Sequence, residues 1–129
     1  MSATILVVDD EESIRKLYQL ELMDEGYNVI LAADGQEALQ KVERENPDLV
    51  ILDIRMPKVD GIEFLDRFAQ TGKRLPIIIN SAYTDYRMDI TTWAAETYMV
   101  KSSDISDLKA EVKKLLAGKS STFVNPKSI

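Results

Sequence analysis

Five side chains in this 129-residue chain stand at or just past the ends of short apolar runs. Asp9 and Asp10 follow the run 5–8, Asp53 follows 49–52, Ser81 comes just after 76–79, and Lys101 closes 98–100. Three carboxylates, a hydroxyl and an ammonium gathered at one edge could hold a hard cation and handle phosphate. Crowded carboxylates repel unless some protonate or a cation joins them. The chain has no histidine and no cysteine, so imidazole base catalysis, thiolate chemistry, disulfides and the usual zinc and iron–sulfur sites are excluded. All-oxygen ligation with water completing the shell suits Mg²⁺ or Mn²⁺. Beside such an ion Asp53 is a candidate nucleophile toward phosphorus, with Ser81 and Lys101 holding the phosphoryl oxygens. Taken alone, an acidic residue ending a strand is ordinarily a solvated cap, and Asp9-Asp10 could equally serve the first helix as N-cap and dipole partner. The constellation is what lifts these residues above that reading.

The elements that must position them follow from patterning. Run 5–8 is continuous and largely β-branched, as expected of a strand buried on both faces. Ile14, Leu17, Tyr18 and Leu22 then recur at helical spacing before Gly26. The alternation repeats: a strand at 29–31; a helix with Ala38, Leu39 and Val42, closed by Asn46-Pro47; a strand at 49–52; a helix with Ile62, Leu65 and Phe68; a strand at 76–79. A fourth helix is expected around Met88, Ile90 and Trp93, a fifth strand at 98–100, and a last helix carrying Ile105, Leu108, Val112, Leu115 and Leu116. Such alternation predicts an α/β doubly wound five-stranded parallel sheet with helices on both faces. Ligands of such sheets gather outside the carboxyl ends of the strands.

Composition agrees with a single domain. Hydrophobic residues make up 45% of the chain, enough for one core. Sixteen basic against 22 acidic side chains leave a formal charge of -6, which disfavours nucleic acid and anionic membrane as partners. No apolar run approaches bilayer-spanning length and the N-terminus lacks a signal-peptide layout, so a soluble cytoplasmic domain is expected. The domain is expected over 3–117, with 118–129 a polar tail.

Together, Ile5-Leu-Val-Val-Asp9-Asp10, Leu52-Asp53-Ile-Arg-Met56-Pro57, Asp60-Gly61, Asn80-Ser81-Ala82 and Tyr98-Met-Val-Lys101 resemble the receiver domain of bacterial two-component response regulators. The resemblance covers about 3–117. It implies strand order 2-1-3-4-5 with five helices, and a phosphoacceptor rather than an enzyme. Asp53 would take a phosphoryl group from a phosphohistidine on a sensor histidine kinase or a histidine phosphotransfer protein. Mg²⁺ would be bound by Asp10, Asp53 and the backbone carbonyl of Arg55, with Asp9 acting through a metal-bound water. Lys101 would contact the phosphoryl group, Ser81 would move toward it, and Tyr98 would rotate to couple the site to the face of the fourth helix, fifth strand and fifth helix, where a downstream protein binds. Arg55 and Tyr83 occupy positions that influence loss of the phosphoryl group; both are bulky, which predicts slow self-dephosphorylation.

Three positions depart from the family pattern. Ser102 stands where a proline in a cis peptide commonly follows the lysine, which predicts a trans bond and a shifted loop, since a non-proline cis bond costs ~3–4 kcal/mol. Thr91-Thr92 and Trp93 give the fourth helix an unusual composition. Ser81 replaces the commoner threonine and lacks the methyl that would restrict its rotation.

Other classes fit less well. A phosphohydrolase of the haloacid dehalogenase type resembles a motif with a second Asp two residues past the nucleophile, where Arg55 stands. A flavodoxin-like module would have to cradle phosphate against Asp9 to Glu12, which would repel it. A degenerate receiver that binds without phosphorylation stays open through the Lys101-Ser102 departure. If the chain is complete, its output is a protein contact, as in a single-domain regulator or a phosphorelay shuttle.

Overall fold

Apolar runs without polar alternation need cover on both faces, and the computed structural model shows that arrangement. It describes residues 2–53, 61–81, 97–100 and 105–119, with the backbone alone at 61, 62, 81, 97–100, 118 and 119. Strands β1 (Thr4–Val8), β2 (Asn28–Ala32), β3 (Leu49–Leu52), β4 (Ile77–Ser81) and β5 (Thr97–Val100) form one sheet in the order β2-β1-β3-β4-β5. Every pairing is parallel. Helices α1 (Glu12–Asp24), α2 (Gly35–Glu45) and α3 (Gly61–Gln70) connect successive strands, and a C-terminal helix spans Ser106–Lys119. The expected strand order and doubly wound class are those observed.

Alternate residues of each strand feed opposite cores, because side chains alternate across a sheet. Leu6, Val8, Val50, Leu52, Ile77 and Ile79 pack with Ala38, Val42, Phe64, Leu65 and Phe68 of α2 and α3. Ile5, Val7, Leu49, Ile51 and Ile78 pack with Tyr18 and Leu22 of α1 and with Ile105, Leu108 and Val112 at the C-terminal helix.

Helix ends follow local chemistry. At α2, the N-cap Asp34 accepts from the first-turn Glu37 N–H at 2.9 Å, and the Glu37 carboxylate reaches back to accept from the N–H of Ala33, just ahead of the cap, at 2.7 Å. Its far end is Asn46 in the left-handed region (φ 48°), followed by Pro47. Gly26, with φ 96°, lets the chain leave α1 in a conformation that side chains disfavour.

One expectation is corrected. Leu17 belongs to the helical pattern of α1 but does not face the core: it is 40% exposed and lies on the outer side with Leu20 and Met23. The pattern marks α1 as a helix, yet its buried stripe is narrower than the apolar content, with Tyr18 and Leu22 inside. The expected helix around Met88, Ile90 and Trp93, the Lys101-Ser102 peptide and the stretch from 120 onward lie outside the described residues.

Candidate functional site

Asp9 and Asp53 meet because β1 and β3 are adjacent and in register. Val8 pairs with Leu52, so the next residue of each strand is an aspartate at the same level of the sheet edge. The ladder continues one step further: the Asp53 N–H donates to the Val8 carbonyl at 2.9 Å and the Asp9 N–H to the Ala32 carbonyl at 3.1 Å. β1 is flanked by β2 on one side and β3 on the other, the point where the order of strands reverses and where such sheets open a crevice.

Carboxylate oxygens of Asp9, Asp10 and Asp53 all lie within 4.8 Å of one another. Asp9 and Asp53 are only 2% and 5% exposed, whereas Asp10 faces solvent. Two unit charges ~4 Å apart repel by ~4 kcal/mol at an effective dielectric constant of ~20, so three carboxylates here favour a cation. The donor set fits Mg²⁺: it is all oxygen, it offers fewer groups than an octahedral ion needs, and its exposed member leaves room for water.

The loop carrying two of these acids is fixed locally. An oxygen of the Asp9 side chain accepts from the Glu11 N–H at 3.0 Å, and Arg15 Nη1 donates to the Asp9 carbonyl at 2.8 Å. The capping alternative for Asp10 is not what forms, because Glu11 occupies the N-cap position of α1 and makes no side-chain cap. Asp10 is thereby left to the site.

Ser81 is the last residue of β4, and Tyr98 lies within β5; both strands end at this edge, with Ser81 paired to Val100. Arg55, Tyr83 and Lys101 lie outside the described residues. Two contacts near the site were not anticipated from the sequence: Arg15 on the Asp9 carbonyl, and a buried bond from Asn80 to Tyr18. Asn80 carried a usable signal, a carboxamide ending the run Ile77-Ile78-Ile79.

A parallel β2-β1-β3-β4-β5 sheet with three acids at the ends of its first and third strands defines a class of signalling phosphoacceptor. The family model "Response regulator receiver domain" matches residues 5–113, and the chain belongs to that family. It is 44% identical over 119 residues to the alkaline phosphatase synthesis transcriptional regulatory protein PhoP of Bacillus subtilis, covering 90% of this chain and 49% of that one. It is 39% identical over 122 residues to sporulation initiation phosphotransferase F of the same organism, covering 93% of this chain and 98% of that one. The chain thus spans about half the length of PhoP and nearly all of the phosphotransferase.

Among solved structures, response regulator protein TrrA of Thermotoga maritima in complex with Mg(2+)-BeF matches with a TM-score of 0.83 and 48% identity, over 89% of this chain and 99% of that one. TrrA has also been solved in complex with the histidine kinase ThkA. Among the described residues no helix is long and apolar enough to cross a membrane.

Proposed function

We propose that Asp53 accepts a phosphoryl group from a phosphohistidine on a sensor histidine kinase or a histidine phosphotransfer protein. The observation that carries this is the gathering of the Asp9, Asp10 and Asp53 oxygens within 4.8 Å at the sheet edge. An Asp53 oxygen attacks phosphorus, the P–N bond breaks, and its electron pair stays with the imidazole. Asp10, Asp53 and the Arg55 carbonyl would hold Mg²⁺, with Asp9 acting through water; when bound, the ion neutralises the acids and the charge on the transferring oxygens. Lys101 and Ser81 hold the phosphoryl oxygens, and Tyr98 relays the change to the face of the fourth helix, fifth strand and C-terminal helix, where a downstream protein binds. The receiver unit is taken as lying in the cytoplasm and starting at residue 3; its expected end at 117 moves to 119, because the last helix runs to Lys119, which leaves 120–129 as the tail. The TrrA–ThkA complex supports a histidine kinase as donor.

The test is intact-mass measurement after exposure to phosphoramidate, with and without Mg²⁺. Wild type should gain one phosphoryl group with Mg²⁺ only, and Asp53→Asn none. An unmodified wild type would leave a binding module that works without phosphorylation. A second reading, a shuttle that passes the group on to another histidine, is favoured by the match along 98% of sporulation initiation phosphotransferase F. Transfer of label from this protein to an isolated histidine phosphotransfer domain checks it. Arg55 and Tyr83 are assigned the role of slowing hydrolysis through their bulk, so an Arg55→Asn/Tyr83→Glu variant should lose label faster; equal rates remove that role.

A further inference from the structure

Every other side chain that β4 buries from 77 to 79 is isoleucine, yet the next residue is a carboxamide that is 4% exposed. Asn80 Nδ2 donates to the hydroxyl oxygen of Tyr18, itself 3% exposed, at 2.7 Å across 62 positions of sequence. Asn80 shares the parity of Ile78, which packs in the core beneath α1 and the C-terminal helix. Burying an amide and a phenol there is unfavourable unless they are hydrogen-bonded, and no buried side-chain polar atom among the described residues lacks a partner. An apolar pair would fill the same space without that requirement.

Position gives the pair its consequence. Tyr18 lies in the second turn of α1, the helix that follows directly on Asp9 and Asp10. Asn80 is bonded directly to Ser81, with adjoining Cα atoms ~3.8 Å apart. The bond therefore ties the helix leading out of the acidic loop to the peptide that carries the serine. Arg15, one turn before Tyr18 on α1, holds the Asp9 carbonyl from the other end.

We propose that Tyr18 and Asn80 are positioning residues for the phosphoryl site, holding α1 and the end of β4 in one register so that Ser81 is presented to the group on Asp53. This rests on the phosphoacceptor reading above. Their role is to act through Ser81, the neighbour of Asn80 in the chain. When the bond is absent, β4 keeps its ladder but its last residue loses its tether to α1. The loss is then in the rate of phosphoryl uptake and not in metal binding.

The experiment compares wild type, Tyr18→Phe, Asn80→Leu and the Tyr18→Phe/Asn80→Leu double variant. Each single variant removes this buried hydrogen bond while leaving one of its two polar groups in the core and should lower Tm by roughly 5–10 °C, whereas the double variant removes both groups and should recover part of the loss. Uptake from phosphoramidate at saturating donor should be about tenfold slower in the singles and in the partly restored double, with Mg²⁺ affinity unchanged. A double variant with partly restored Tm and the wild-type rate overturns the proposal, because the pair would then serve stability alone. Weakened Mg²⁺ affinity in step with the slowed rate also overturns it. If the double variant does not fold, Tyr18→Phe, which keeps the ring, is assayed well below its Tm, and a wild-type rate there refutes the idea. A wild type that takes up no phosphoryl group would instead defeat the phosphoacceptor reading.

Discussion

On the side of α2 and α3 the buried cluster is apolar, from Leu6 and Val50 to Phe64 and Phe68, and the bond from Lys41 of α2 to the Leu31 carbonyl lies at its margin. On the side of α1 and the C-terminal helix the cover includes the Tyr18 hydroxyl bonded to Asn80. At the margin of that same side, Lys109 of the C-terminal helix donates to Glu21 of α1 at 2.6 Å. The buried cluster of the first face gains stability from contact area, which is indifferent to small shifts of register. The second adds directional bonds, which tolerate little displacement and so fix where helix and strand ends lie. α1 starts and β4 ends at the acidic edge, so the core that contains a buried hydrogen bond is the one that adjoins the chemistry.

The contrast can be broken most strongly on the apolar face. Phe64 is fully buried and stacks on Phe68 with ring centroids 6.0 Å apart. Phe64→Ala should cost about 3–5 kcal/mol in urea unfolding. Phosphoryl uptake by the fraction that remains folded should be unchanged; a slowed rate in that fraction would show that both faces position the site.

Next in size is the acidic edge itself. Asp53→Asn removes one of three crowded charges, so the metal-free protein should gain about 1 kcal/mol and roughly 4 °C in Tm. Wild type should be stabilised by Mg²⁺ in proportion to occupancy, and the variant much less. Calorimetry with and without Mg²⁺ checks both; a lowered Tm for metal-free Asp53→Asn would mean that repulsion does not dominate there.

The smallest effects lie in pH dependence and differ in sign between the faces. The Ala33 N–H holds the Glu37 carboxyl below its ordinary value of 4.5, assisted by Lys41 and opposed by burial. Its contribution is therefore present above that value and fades as pH falls through the lowered one. The hydrogen bond to Glu21 raises the Lys109 ammonium above 10.5, with the charges of Glu21, Glu25 and Asp24 adding to it against burial. That contribution is present below 10.5 and fades as pH rises through the raised value. Glu37→Gln should thus converge on wild-type stability in acid and Lys109→Met in alkali, with salt weakening both differences. Convergence at the opposite ends of the pH range would refute the assignments.

Much of this was legible before any coordinates. Runs 5–8 and 49–52 are uninterrupted because their strands are covered twice, and that same feature marks where each stops, at Asp9 and Asp53. Leu17 fits the helical spacing yet is exposed, because that spacing places a residue near the core stripe without stating how wide the stripe is. Asn80 reads as a strand terminus in the sequence, because one polar residue after three isoleucines looks like an exit to solvent, and burial is not a local property.

Strand and helix positions and the identity of the three acids follow from periodicity and residue type, since these depend on neighbours a few positions away, whereas the strand order was implied only by the family resemblance. That Asp9 and Asp53 stand level at one edge depends on the register of β1 against β3. That Asn80 turns inward to a tyrosine 62 residues earlier depends on how α1 packs over β4. Contacts so distant in sequence leave no trace in local patterning, so only the packed structure could assign them.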